Sequence, residues 1–198
     1  PPGYMWVLWL IGGIRNLLGL AYDSSFYLIL VKMPSMLADF LLGLLLLKLA
    51  NHRGYKPLTA VGMAAFWLLS PAVITNSAAW GQIDSLFTVI CLGYLWMLYR
   101  EKIQLASLLL VVGTLVKPQM LLLAPILPIA WIRRIQDDGW RKALLDVVYS
   151  LLLGAGAVAL IAGPFWGNQP WNWLIEKYTS TMGSYPYGSV NAANLISL

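Results

Sequence analysis

The chain has 198 residues, 60% of them hydrophobic and only 11% charged, with a net charge of +5. A soluble domain carries about 25% charged and about 45–50% apolar residues, so this composition excludes an ordinary water-soluble fold. It also excludes a nucleic-acid binder, whose basic residues would form a stripe, and the lone Cys91 excludes an internal disulfide.

Taken in order, the apolar runs predict an all-α, polytopic transmembrane helical bundle. Pro1-Pro2-Gly3-Tyr4 opens a helix, because proline's missing N–H is no loss in a first turn. The apolar stretch from Met5 to Leu20 is broken by Gly12-Gly13 and Arg15-Asn16, which makes it either a short crossing or a re-entrant segment. Arg15 is expected to partner an acid or a lipid headgroup. Asp23-Ser24-Ser25 caps the next helix, Phe26 to Ala50, which carries Lys32, Pro34 and Asp39. Lys32 and Asp39 share a face about 10 Å apart, and Asp39 is expected to pair with a neighbouring helix. Further spans follow: Leu58 to Ile74, Ile83 to Tyr99, Ile103 to Val116, Met120 to Ile132 and Ala143 to Ala162. Gly154-Ala155-Gly156-Ala157 in the last suits close helix packing. Residues 1–163 thus read as one bundle of about seven membrane segments. Residues 164–198 are rich in Trp and Tyr and read as an extracytoplasmic interfacial segment. The chain opens on Pro1 without a methionine, and it reads as part of a longer protein.

The basic loops assign the sides. Asn51 to Lys56, Arg100 to Lys102 and Arg133 to Lys142 are expected in the cytoplasm. The opposite face then holds the stretch Asn76 to Asp84, the Lys117-Pro118-Gln119 turn and the aromatic tail. Ser77 is expected to be open to water there.

Trp80-Gly81-Gln82-Ile83-Asp84 reads, by itself, as a polar turn between helices, with Trp80 an interface anchor and Asp84 a helix cap. Its functional reading makes Asp84 a carboxylate in a wet cavity, since an acid at the mouth of a membrane helix is costly unless wetted, paired or used. Asn76, Trp80 and Gln82 around it suit sugar hydroxyls and ring faces. Lys117 reads either as a lysine snorkelling to water or as a point charge for a phosphate. Lys32 is a weaker phosphate candidate. The single His52 and the scattered acids exclude a zinc site, and no Walker loop, dinucleotide turn or Ser/His/Asp set occurs. A divalent cation at Asp84 stays open.

The order Pro1-Pro2-Gly3-Tyr4, Lys32-Xaa-Pro34 with Asp39, Trp80-Gly81-Gln82-Ile83-Asp84-Ser85, Lys117-Pro118-Gln119 and Ser189-Val190-Asn191-Ala192-Ala193-Asn194-Leu195 resembles bacterial GT-C-type membrane glycosyltransferases. The nearest group is the predicted mannosyltransferases similar to the second mannosyltransferase of GPI-anchor synthesis. The resemblance implies a partial GT-C-like bundle in a bacterial plasma membrane. It would transfer a hexose such as mannose from a polyprenyl-phosphate carrier to an acceptor on the extracytoplasmic face. It implies Asp84 as a catalytic or positioning acid, Trp80, Gln82, Asn76, Lys117, Gln119 and Lys32 as substrate-binding residues, and a main catalytic acid in a loop upstream of Pro1. The partners implied are a lipid-linked sugar donor and membrane lipid. The alternatives are a multi-pass transporter, whose polar breaks would line a pathway near mid-membrane, and a non-catalytic membrane scaffold.

Overall fold

The computed structural model describes residues 1–183, and every regular element among them is helical. Helix α1 spans Pro2–Leu17, with proline in its first turn. Gly12 and Gly13 do not interrupt it. Helix α2, Ser25–His52, is about 42 Å long. Its cap is the expected one, Ser24 Oγ accepting from the Tyr27 N–H at 3.3 Å.

The run expected to cross from Leu58 to Ile74 is two pieces. Helix α3 ends at Leu68, and Pro71 starts helix α4, Pro71–Ile74. Proline disfavours a helical residue before it and offers no N–H to the preceding turn, so the chain bends by 41° here. From α4 the backbone continues into a π-helical turn, Thr75–Trp80. The polar island is therefore mostly helical, and the open turn shrinks to residues 81–83. Helices α5, Asp84–Tyr99, and α6, Ile103–Val116, follow. A 3-10 turn over Pro118–Leu123 leads to α7, Ile126–Asp138, and then α8, Trp140–Ala162. After a last 3-10 turn at Gly163–Phe165 comes α9, Trp173–Gly183.

Among the described residues, Ser25–His52 and Trp140–Phe165 are long and apolar enough to cross a membrane, and the bent pair Pro57–Leu68 with Pro71–Trp80 makes a third candidate. Helices α5 and α6 are apolar but shorter. The chain is thus an all-α membrane protein, and the reading of about seven segments leans further on α1, α5, α6 and α7.

Small residues let these helices close on one another, as they must where lipid removes any hydrophobic drive between them. Ala60, Ala106 and Ala162 are fully buried. A Cβ on Gly113 of α6 would stand 2.8 Å from Met120 Cγ, so only glycine fits against that side chain. Met120, Tyr94 and Ala106 form a closed core, with Tyr94 Oη donating to the Leu123 carbonyl at 3.0 Å. Of the small-residue run in α8, Gly154 faces Val111 of α6 and Ala157 is buried, while Gly156 faces open space.

One end of the bundle carries the basic segments, of which Arg133 to Lys142 is not the expected loop: α7 runs to Asp138 and α8 starts at Trp140, with Gly139 between them. Buried Asp146 of α8 there accepts from Gln104 of α6 and from Arg134 Nε of α7, the latter at 2.9 Å. Arg134 also pairs with Asp138, whose carboxyl is held below its usual range by a hydrogen bond from Lys142 and by the Arg134 charge.

The other end gathers the remaining polar groups. Gly3 of α1 packs on the backbone of Leu115, and Trp6 Nε1 donates to the Ile161 carbonyl in the last turn of α8 at 3.0 Å. The C-terminal end of α1 leads into the start of α2, near where Lys32 meets the island. The N-terminal turns of α1 therefore lie at this end of the bundle. The segment after Pro164 returns here too: Tyr178 Oη donates to the Thr114 carbonyl at 2.9 Å, and burial pushes its phenol up to about 12. The sequence features from Tyr185 to Leu195 lie outside the described residues.

Candidate active site

The site is built at the seam between α2, the π-helical turn and α5. A π-turn widens the helix and leaves its last carbonyls in need of partners. Lys32 supplies one, donating from Nζ to the Ala79 carbonyl at 2.8 Å. The chain then reverses at Gly81, which sits in the left-handed region at φ 78, and the Asn76 carbonyl accepts from the N–H groups of Gly81 and Gln82. The aliphatic stem of Lys32 lies against Gly81, its Cγ only 3.2 Å from where a Cβ would be.

Seven residues further along α2, Asp39 is buried and accepts a hydrogen bond from Ser85 Oγ. Ser85 in turn lies 3.2 Å from Ser77 Oγ, and both serines are buried. This confirms a partner for Asp39 on a neighbouring helix, and it corrects the expectation for Ser77. That residue does not face water, because it is fully buried in the seam. Two side chains of α2 thus grip the island from both sides, Lys32 at its carbonyl end and Asp39 at the first turn of α5.

What the grip presents is Asp84. It is the first residue of α5 and does not act as a side-chain cap, since Ile83 holds that position without one. Its carboxylate instead pairs with Lys117, the residue between α6 and the 3-10 turn, where Pro118 fixes the backbone. Their side chains are 39% and 25% exposed, so the pair is neither fully solvated nor sealed. Lys117 Nζ also lies 5.7 Å from the centre of the Phe87 ring, one turn along α5. Trp80 stands beside the turn with 72% of its surface open. Gln119 is exposed, Asn76 and Gln82 are half-buried, and their side-chain amides bond to no other described residue.

Of the residues singled out from sequence, Asp84 and Lys117 therefore meet directly, while Trp80, Gln82 and Asn76 belong to the turn that sets them. Lys32 lies below the turn and is committed to it. Gln119 lies two residues beyond Lys117. The buried set of Asp39, Ser77 and Ser85 was not grouped from sequence. Its signals were the Asp84-Ser85 adjacency and the apolar helix around Asp39, which made an unpaired carboxylate untenable. Among the described residues Arg15 does not pair with an acid: it lies over the Tyr22 ring, 3.4 Å from its centre, and Nη1 donates to Asn16 Oδ1 at 2.9 Å.

No group of three or more His, Cys, Asp or Glu side chains converges among the described residues. Asp84 faces an ammonium rather than a second acid, which does not fit a divalent cation held by these residues alone. A cleft of about 350 Å³ lies at the other end of the bundle, between Tyr99, Ile126, Arg133 and Asp137. Its acids and arginines already belong in part to the Asp146 network, and it shares no residue with the Asp84 site.

Two comparisons with known proteins found matches. A stretch of 73 residues, 37% of the chain, is 40% identical to GPI mannosyltransferase 1 of Gibberella zeae. That relative is named as the first GPI mannosyltransferase, where the resemblance in sequence had pointed to the second. The matched stretch spans only 17% of the relative's length. No solved structure matches the chain. The model of Glycosyltransferase family 87 matches residues 1–196, all but the last two residues, and the chain belongs to that family.

Proposed function

We propose that the protein transfers a hexose, in kind a mannose, from a polyprenyl-phosphate carrier to a hydroxyl acceptor at the extracytoplasmic face of a bacterial plasma membrane. The observation that carries this reading is the half-exposed Asp84–Lys117 pair at the end of the bundle away from the basic loops, beside the open face of Trp80.

The chemistry needs few parts. The acceptor oxygen attacks the anomeric carbon of the donor sugar. The bond from that carbon to the phosphate oxygen breaks, polyprenyl phosphate leaves with the electron pair, and the acceptor's proton must go to a base. Asp84 gives one carboxylate oxygen to Lys117 and keeps the other for an acceptor hydroxyl, either as the base or as the group that orients the acceptor for an upstream acid. Lys117 has three N–H donors and gives one to Asp84. The others suit the phosphate, whose charge grows as the sugar leaves. Trp80 offers a ring face to a sugar, and the amides of Gln82, Asn76 and Gln119 offer paired donors and acceptors to its hydroxyls. Holding a membrane-borne donor and an acceptor at one surface supplies proximity.

The test is turnover by full-length protein reconstituted in vesicles and supplied with polyprenyl-phosphate mannose and a mixed acceptor extract. Consumption of the donor with release of polyprenyl phosphate is expected. No consumption of any polyprenyl-phosphate sugar, together with flux of a soluble solute, overturns the reading in favour of transport.

A further inference from the structure

The geometry points to Arg15 as a binding site for the phosphate of a lipid, separate from the Asp84–Lys117 pair. Three cations stand at this end of the bundle near the island or the start of α2. Lys117 is paired with Asp84, and Lys32 gives one of its donors to the Ala79 carbonyl, so both are engaged at the island. Arg15 forms no ion pair among the described residues, and its Nε is buried without a hydrogen-bond partner. Asp23, the acid in the adjoining turn, is exposed and forms no ion pair with Arg15.

The guanidinium is held by its surroundings. One face lies 3.4 Å from the Tyr22 ring centre, and the Tyr27 ring lies at 5.8 Å. The two tyrosines pack edge to face at 5.9 Å. Nη1 is tied to Asn16. Nη2 has no hydrogen-bond partner among the described residues and is the donor left for a phosphate oxygen, while the buried Nε adds an unsatisfied N–H beside it. A planar cation stacked on an aromatic loses little freedom when it takes such a ligand.

The rim says what kind of molecule brings the phosphate. Leu17, Leu18, Tyr22 and Phe26 around the α1–α2 connection are all more than half exposed, with Leu17 at 85%. An anion site rimmed by exposed leucine, tyrosine and phenylalanine, at the mouth of a membrane helix, fits a phosphate on an acyl or prenyl chain rather than a free anion. Tyr27 lies about 7.5 Å along α2 from Lys32, within one lipid's reach of the island. The inference stands without the transferase reading, because what it requires is a lipid phosphate and not a reaction.

The experiment is native mass spectrometry of full-length protein in phosphatidylcholine nanodiscs, doped with either phosphatidylglycerol or undecaprenyl phosphate. Wild type is expected to retain the doped lipid, and Arg15→Gln to retain it about fivefold less, the factor expected for one basic residue at an anionic lipid. Arg15→Lys restores part of the difference, because the charge returns without the fork. Tyr22→Leu leaves the arginine in place and removes its platform. It lowers retention as well, which keeps the test open if Arg15→Gln does not fold in plain phosphatidylcholine. A difference confined to undecaprenyl phosphate makes the site one for prenyl phosphate, and an equal difference for both lipids makes it a general lipid-phosphate site. Retention unchanged in folded Arg15→Gln or Tyr22→Leu with both lipids overturns the inference, whatever the turnover assay shows.

Discussion

If Asp84 and Lys117 act as one unit, removing both should cost little more than removing one. Fully exposed ion pairs couple by about 0.2–1 kcal/mol, whereas taking one partner from a buried pair costs about 3–5 kcal/mol. With side chains 39% and 25% exposed, this pair lies between those limits, and a coupling of about 1.5 kcal/mol is expected, close to a factor of ten. In full-length protein, Asp84→Asn is expected to lower sugar transfer by at least about tenfold, the loss typical of a positioned acid–base or orienting group. Lys117→Gln should lower it by about the same factor. The double variant should then stay within a few-fold of Asp84→Asn, where independent effects would multiply to about a hundredfold. The assay is turnover of polyprenyl-phosphate mannose under saturating and limiting donor, with thermal unfolding to certify each variant. Losses that multiply, with Lys117→Gln changing only the apparent donor affinity, would place Lys117 on the donor phosphate alone and refute the coupled reading.

Gly81→Ala puts a side chain at φ 78 and a Cβ 3.2 Å from Lys32 Cγ, a strain of about 1–2 kcal/mol confined to one turn. Turnover should fall at least about threefold while the unfolding temperature drops by only a few degrees, and normal turnover would show that the turn's backbone does not set the site. Arg134→Gln leaves buried Asp146 with Gln104 alone and should cost about 2 kcal/mol, a value lowered from the fully buried case because Arg134 is 30% exposed; a change under about 0.5 kcal/mol in denaturant unfolding would make that network ornamental. For topology, cysteines at Tyr55 and Gln136 should be shielded from an impermeant label in intact cells and one at Trp80 should react. Labelling of Tyr55 with protection of Trp80 would reverse the orientation.

The extent of most helices could be read from the chain because their apolar runs are bounded by charges and prolines. The expected span from Ile103 to Val116 matches α6 residue for residue, while the next run misses at both ends: Pro118 starts a 3-10 segment instead of an α-helix, and α7 continues past Ile132 to Asp138. The break inside Leu58 to Ile74 had a visible signal in Ser70-Pro71, outweighed by the hydrophobicity on either side. The π-helical form of Thr75–Trp80 had none. Its side-chain contacts come from outside those six residues: Lys32 of α2 bonds the Ala79 carbonyl, and Ser85, itself bonded to Asp39 of α2, meets Ser77. In the same way both members of the Asp84–Lys117 pair could be named from sequence and placed at one face, but not joined. They are 33 residues apart, and their contact depends on how α5 and α6 pack.

The role found for Lys32 and Asp39 follows from what a membrane interior permits. A charge in an apolar helix persists only where a partner repays its desolvation. The cheapest partners are backbone carbonyls freed by an irregular turn and hydroxyls on the facing helix, and those are the groups that Lys32 and Asp39 engage. Charge and irregular turn thus stabilise one another. Neither Asp84 nor Trp80 touches α2 through these bonds, yet the position of both depends on it, since Ala79 and Ser85 are their chain neighbours. Substitutions at Lys32 or Asp39 should accordingly disturb the site without contacting a substrate, whereas those at Asp84 or Lys117 should disturb it directly and leave the π-helical turn in place. Amide exchange over residues 76–85 separates the two classes: faster exchange is expected for Asp39→Leu and unchanged exchange for Asp84→Asn. The reverse pattern would mean that the Asp84–Lys117 pair, and not α2, holds the island.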